Sequence, residues 1–191
     1  INDFSKLGSG ILGNGSLNKK SLEQIKIPIP SLERQQEIVK YLDFIYEKAN
    51  KTSNEKIVEL KQLNEFCLNN QKIFVKNTLK TLVEVCSVDY GTRIVTKNNV
   101  EGEYPVYGSG RAMFSTETFN RDGFNILIGR FALSLECVRF VNEKIFLNDS
   151  GLSIKPKTDT LLHKYIGYYL LHNENVIYNC ARGTAQKNLE M

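Results

Sequence analysis

The sequence predicts an α+β fold in which a long coiled-coil-type helix is joined to a mixed α/β domain. Three observations predict it. No Gly or Pro occurs between Leu32 and Asn77, and apolar or small residues recur there at helical spacing. After Lys80 the texture changes to short apolar runs rich in Val, Ile, Phe and Tyr, punctuated by Gly, Asn and Asp. From Leu161 to Ile177 helical spacing returns.

The helix has a marked entry. In "IKIPIPSLERQQEIVKYLD" (Ile25 to Asp43) Pro28 and Pro30 close an apolar strand-like run. Ser31 is placed as an N-cap, and Glu33 falls in the first turn, where a carboxylate favours the helix dipole. The apolar seam runs through Ile38, Leu42, Ile45 and Ala49, then through Ile57, Leu60, Leu63 and Cys67. The polar stretch "NKTSNEK" (Asn50 to Lys56) breaks its phase, either as a stutter or as a turn between two shorter helices. One unbroken helix would be about 68 Å long at about 1.5 Å per residue. Such a seam needs cover, from the chain's own core or from a second copy or homologous segment. Its length favours the second, so these eight residues are the expected helix-pairing positions.

The remaining elements follow in order. "LVEVCSVDYG", "YPVYGSG", "FNILIGRFAL", "VRFV" and "IFLNDSGLSIKP" read as strands separated by turns. "LLHKYIGYYLLHNENVI" reads as a helix, with Tyr165, Tyr169 and His172 near one face and Leu161, Leu162, Ile166 and Leu170 on another. "GNGSLN" (Gly13 to Asn18) and "GTAQKN" (Gly183 to Asn188) share a G-x-x-x-x-N spacing, a faint repeat whose period contains one helix and one globular domain. The predicted division is 1–30, 31–79 and 80–191. The last segment lacks the "IKIPIP" run that closes the first. Residues 19–30, from the same chain or a neighbour, are therefore expected to pack against it, with helices pairing between molecules.

Composition narrows the function classes. Net charge is +4, and no segment forms a polycationic tail, so charge permits nucleic-acid binding without arguing for it. No apolar run approaches the ~20 residues that span a bilayer, and no signal peptide is recognisable, so a cytoplasmic location is expected. The chain begins at Ile1 rather than Met, as a processed or excised piece would. Cys67, Cys86, Cys137 and Cys180 are scattered without a C-x-x-C pair, and His163 and His172 lie far from most of them. Reduced, mostly buried thiols are expected, and no metal site.

A search for catalytic patterns finds no G-x-S-x-G, H-E-x-x-H or G-x-x-x-x-G-K-[ST] and no Asn/Asp-Pro-Pro-aromatic tetrapeptide. "GSGILGNG" (Gly8 to Gly15) lacks the strand and helix of a phosphate cradle. No catalytic residues are predicted. Loops that place a guanidinium or amide beside flexible backbone are better represented. "YGTR" carries Arg93, "YGSGRA" carries Ser109 and Arg111, and "CARGTAQKN" carries Arg182, Thr184, Gln186 and Lys187. Arg grips guanine or phosphate with two bonds, Gln does the same for adenine, and Gly lets backbone approach closely. These seven residues are the candidate DNA contacts. Arg130, in "ILIGRFAL", is read equally well as a buried ion-pair anchor or as a DNA contact.

"IPIP" through "ERQQEIVKYLD", then "GEYPVYGSG", "NILIGR", "LNDSGLSIKP" and "GTAQKNL", occur in the order used by the DNA-specificity subunits of type I restriction–modification enzymes. The chain resembles that family over nearly its whole length, and departs from it after "GR", where members often carry Gly-rich spacing. The resemblance implies that residues 1–30 are the tail of a first target-recognition domain, 31–79 a conserved spacer helix and 80–191 most of a second recognition domain. It implies double-stranded DNA as ligand, with half of a bipartite site read in the major groove. It further implies adenine methyltransferase (modification) subunits docked on the helix and a separate restriction motor subunit. A homodimer through the helix fits the same picture. No cofactor is expected in the chain itself, because S-adenosylmethionine, ATP and magnesium belong to partner subunits. The alternative reading is a coiled-coil interaction scaffold that no longer reads DNA.

Overall fold

The computed structural model describes residues 15–50, 78–131 and 136–183. Strand β1 (Gly15–Leu17) leads through the short helix α1 (Lys19–Glu23) to strand β2 (Lys26–Ile29). Asn18 caps α1, its side chain accepting from the Lys20 N–H at 2.9 Å. Strand β2 pairs with β3 (Thr78–Thr81) in a two-stranded antiparallel sheet, an edge setting in which the missing N–H of Pro28 is tolerated. The Pro28 and Lys26 carbonyls accept from the hydroxyls of Tyr165 at 2.8 Å and Tyr169 at 3.0 Å. Helix α2 (Leu32–Asn50) starts directly afterwards. As expected, Ser31 caps it: the Arg34 N–H donates to Ser31 Oγ at 3.4 Å and the Gln35 N–H to the Ser31 carbonyl at 2.9 Å.

The chain continues as helix α3 (Leu82–Val85), β4 (Cys86–Tyr90), a 3-10 turn (Thr96–Asn98), β5 (Tyr104–Tyr107), β6 (Phe114–Thr116), β7 (Phe124–Gly129) and β8 (Val138–Asn142). Then come β9 (Phe146–Leu147), β10 (Gly151–Pro156), α4 (His163–His172), α5 (Glu174–Cys180) and β11 (Ala181–Gly183). An antiparallel sheet of order β4-β10-β7-β8 forms the centre. A second sheet of order β6-β5-β9 pairs β5 and β9 in parallel.

The unbroken apolar run of β7 has a clear cause. Ile126 and Ile128 enter the larger core, whereas Leu127, pointing the other way, joins Val141, Ile145 and Leu147 in a smaller one. A strand covered on both faces needs no polar alternation. Two elements differ from expectation. "LVEV" forms a helical turn rather than a strand, because the Thr81 N–H and hydroxyl both donate to the Glu84 carboxylate, at 2.5 and 2.6 Å. The expected helix over Leu161 to Ile177 breaks at Asn173, whose side-chain amide donates to the Tyr169 carbonyl at 2.8 Å.

Residues on both sides of the predicted boundary at residue 30 share one core. Leu17, Leu22, Ile25 and Ile27 lie in the same buried cluster as Ile38, Leu42, Val88, Ile154 and Ile166. Strand β1 pairs with β11 in the register Gly15↔Gly183, Ser16↔Arg182 and Leu17↔Ala181. The expected packing of residues 19–30 on the β-rich part is thus made within one chain. A helix as short as α1 cannot bury an apolar face by itself, and Leu22 is fully buried only because that domain covers it. Leu22→Ala is expected to cost about 2–5 kcal/mol in a urea melt. A loss well under 1 kcal/mol would show that this segment does not close the core.

The expected helix-pairing role needs correction at its N-terminal half. Ile38 and Leu42 are members of the chain's own core, and Ile45 is buried too. The physical reason is that α2 lies against α4. Asp43 accepts from Lys164 Nζ at 2.7 Å and from the Tyr168 hydroxyl at 2.6 Å, and Tyr46 stacks on Tyr168 with centroids 5.2 Å apart. Ala49 lies in α2; Ile57, Leu60, Leu63 and Cys67 lie outside the described residues.

Cys86 and Cys137 are buried thiols, as expected for structural cysteines. Burial pushes each up to about 12 from the ordinary 9.0, with Glu174 adding to the effect at Cys137. Neutral thiols in the folded state and ionisable ones in the unfolded state give a contribution to stability that is complete below pH 9.0 and lost as pH rises towards 12. Native protein at pH 8 is therefore expected to resist thiol reagents at these two positions until it unfolds. Stoichiometric labelling of both under native conditions would contradict this burial.

Candidate nucleic-acid interface

Strand β4 ends at Tyr90, β7 ends at Gly129 and β10 begins at Gly151, all at the same end of the central sheet. Four loops meet there. The turn after β4 is held by bonds from the Gly91 N–H to the Gly151 carbonyl at 3.2 Å and from the Thr92 N–H to the Leu147 carbonyl at 2.8 Å. The loop after β5 is joined to the loop before β10 by the Asn148 N–H, which donates to the Tyr107 carbonyl at 2.8 Å. The Arg130 N–H donates to the Ser150 carbonyl at 3.0 Å, and its own carbonyl accepts from the Leu17 N–H of β1 at 2.7 Å. The junction is too close for a side chain at Gly91 and at Gly129. A Cβ on Gly91 would lie 2.2 Å from the Asn148 oxygen, and one on Gly129 would lie 2.7 Å from the Ser109 oxygen.

Four of the residues singled out in the sequence come together at this end. Arg93 follows the β4 turn and Arg111 follows the Ser109 loop, both with exposed side chains. Arg182 lies in β11 opposite Ser16, one residue from the Leu17 bond to Arg130. Ser109 sits at the centre, but its hydroxyl is committed to the fold. It donates to the Ser150 carbonyl at 2.7 Å and accepts from the N–H groups of Arg130 at 3.2 Å and Phe131 at 3.0 Å. Ser109 thus clips two loops together. The Arg139 guanidinium supports the same loop by donating to the Ser109 carbonyl. Burial lowers the Arg139 pKa, with Glu174 opposing. Thr184, Gln186 and Lys187 lie outside the described residues.

Arg130 departs from the expected ion-pair anchor. Among the described residues it forms no ion pair. Its Nη1 donates to the Asp149 carbonyl at 2.5 Å, and the guanidinium carbon lies 4.5 Å from the Tyr90 ring centroid and 4.8 Å from that of Phe131. Both rings remain about half exposed, at 45% and 47%. Lys19 Nζ lies 5.6 Å from the same Tyr90 ring and 3.7 Å from Glu23 Oε1. Tyr90, Phe131 and Lys19 were missed in the sequence. The available signal was an aromatic abutting each glycine–arginine turn, in "DYGTR" and "GRF".

This end of the sheet therefore offers cationic side chains and exposed rings on a close-packed, hydrogen-bonded base. Exposed guanidinium groups on glycine-bearing turns can donate to phosphates and base edges, and half-exposed rings can stack or contact methyl groups. No group of three or more His, Cys, Asp or Glu that could hold a metal occurs among the described residues. Nor is any described helix long and apolar enough to cross a membrane.

A family model described as "Type I restriction modification DNA specificity domain" matches residues 2–62 and 74–191. Two similar solved structures are the type I restriction–modification system S subunit from M. genitalium and the HsdS subunit from Thermoanaerobacter tengcongensis. The first is 19% identical with a TM-score of 0.46, and the match covers 75% of this chain and 41% of that one. The second is 15% identical with a TM-score of 0.41, covering 75% and 42% respectively. The chain thus spans about two fifths of the length of these two structures. No curated protein matches it. With the family model spanning nearly every residue, the chain belongs to the type I restriction–modification DNA specificity domain family.

Proposed function

We infer that the chain is a sequence-specific DNA-recognition module of a type I restriction–modification system, reading half of a bipartite duplex target. The observation that carries this reading is the meeting of the Arg93, Arg111 and Arg130 turns at one end of the central sheet, in a chain of the specificity family. The module contributes recognition and no catalytic step. Adenine methylation with S-adenosylmethionine, and ATP- and magnesium-dependent cleavage, fall to the modification and motor subunits it assembles with in the cytoplasm. The outer face of α2 is the docking side for the modification subunit, and the pairing helix partner engages the seam beyond Ala49.

Duplex affinity is expected to fall steeply with salt, because each neutralised phosphate releases counterions. Arg93→Ala and Arg111→Ala should each weaken binding and lower the logarithmic salt slope by about 1 if the side chain meets a phosphate. Fluorescence anisotropy across a salt series reads both quantities. Affinity and slope unchanged in the double variant would remove this end of the sheet from the interface.

A second reading is favoured by one feature of α2. A groove lined by Val39, Lys40, Asp43 and Phe44 of α2 and by Leu162 opens between α2 and the start of α4, with Phe44 55% exposed. A scaffold that recruits a protein there without reading DNA would keep the specificity of its complex unchanged when Arg111, Arg182 and Lys187 are all replaced by alanine. The recognition reading predicts that specificity is lost.

A further inference from the structure

The Arg130 guanidinium is held by rings and by a carbonyl. Its guanidinium carbon lies 4.5 Å from the Tyr90 ring centroid and 4.8 Å from that of Phe131, and Nη1 donates to the Asp149 carbonyl. Its Nε is buried without a hydrogen-bond partner among the described residues. Nη2, by contrast, is neither buried nor hydrogen-bonded among those residues. With Nε enclosed, the group can present only its end-on edge, the second Nη1 hydrogen together with Nη2. The backbone beneath it is fixed on both sides, by the Arg130 N–H bonds to Ser150 and Ser109 and by the bond from Leu17 to its carbonyl.

A phosphate can be gripped by a cation on a mobile stem, since it accepts from many directions. Reading a base edge demands two donors fixed in one plane. Arg130 has that fixed plane, as two rings and a carbonyl leave the guanidinium little rotational freedom, and an ordered side chain loses less entropy on binding. Resting on the DNA-recognition reading above, we propose that Arg130 is a specificity-determining residue that reads a guanine, donating end-on to O6 and N7 in the major groove. Tyr90 and Phe131 hold the guanidinium in the reading plane. The acidic neighbour in the same turn is Asp149, whose carbonyl, not its charge, is engaged.

The test uses the purified chain and its selected duplex, with every position of the half-site replaced in turn. Arg130→Lys keeps the charge and loses the planar fork. The expected result is that discrimination falls about 10-fold or more at one G·C pair and is retained elsewhere. Phe131→Ala serves where Arg130→Lys is poorly folded, because Phe131 is a half-exposed ring. It should reduce discrimination at that same pair while the melting temperature stays within a few degrees. Uniform weakening across all positions, with the salt slope lowered by about 1, would assign Arg130 to a phosphate and overturn the proposal. Discrimination unchanged in both variants would overturn it as well. If the unsubstituted chain selects no duplex at all, the recognition reading fails first and this inference with it.

Discussion

Gly91→Ala is expected to weaken duplex binding about 10-fold or more and to destabilise the fold by about 2–4 kcal/mol. The added Cβ would meet the Asn148 and Leu147 carbonyl oxygens at 2.2 and 2.3 Å, and backbone oxygens cannot swing aside as a side chain would. The turn must therefore lift from the loop before β10, losing the bonds from Gly91 to Gly151 and from Thr92 to Leu147. Tyr90 and Arg93 move with it. That displacement separates the Tyr90 ring from Arg130 and carries an exposed guanidinium away from its neighbours. Chemical denaturation and anisotropy on one protein preparation read the two effects. Wild-type values for both would mean that the turn has room the structure denies it.

Gln35→Leu is expected to cost about 3–5 kcal/mol, among the largest effects of any single polar substitution in the chain. Gln35 is fully buried at the start of α2. Its amide donates to the Pro30 carbonyl at 2.9 Å and the Thr160 carbonyl at 3.1 Å, while its Oε1 accepts from the Leu162 N–H at 2.8 Å. One side chain thus ties the "IPIP" segment, helix α2 and the start of α4 together. Leucine fills the space and leaves three backbone groups without these partners. The neighbouring pair of Lys164 and Asp43 is a useful contrast. The Lys164 side chain is 48% exposed, so Lys164→Ala should cost at most about 1 kcal/mol although it removes a 2.7 Å contact. Equal costs for Gln35→Leu and Lys164→Ala in urea melts would contradict this ranking.

Much of the fold was legible because periodicity reports burial. The Ile38 and Leu42 positions are buried as the seam required, and Ser31 caps α2 as its place after Pro30 indicated. What covers that seam was not legible. Spacing says that a face is buried but carries no address, and the cover of Ile38 and Leu42 proved to be α4 and the core of the same chain. The turn at Leu82–Val85 was missed because Val-rich runs favour strands, whereas one local carboxylate, Glu84, holds this one as a helix. The break at Asn173 was missed for a related reason, a side-chain amide competing with the helix for a backbone carbonyl.

The candidate interface divides in the same way. Arg93 and Arg111 were found from residue type beside glycine, a local signal. Ser109 was found too, yet its hydroxyl serves Ser150, Arg130 and Phe131, partners far away in sequence. Tyr90 and Phe131 were passed over because an aromatic in an apolar run reads as core. Only the three-dimensional meeting of the β4 and β7 ends leaves them half exposed around one guanidinium.

The end of the sheet bearing Arg93, Arg111 and Arg130 is proposed to read a defined duplex sequence. The most direct measurement is selection from randomised duplexes by the purified chain, run in parallel on the Arg93→Ala/Arg111→Ala/Arg130→Ala variant. One enriched half-site is expected for the unsubstituted chain, and its loss in the variant. Enrichment of no motif, or of the same motif by both proteins, would contradict it.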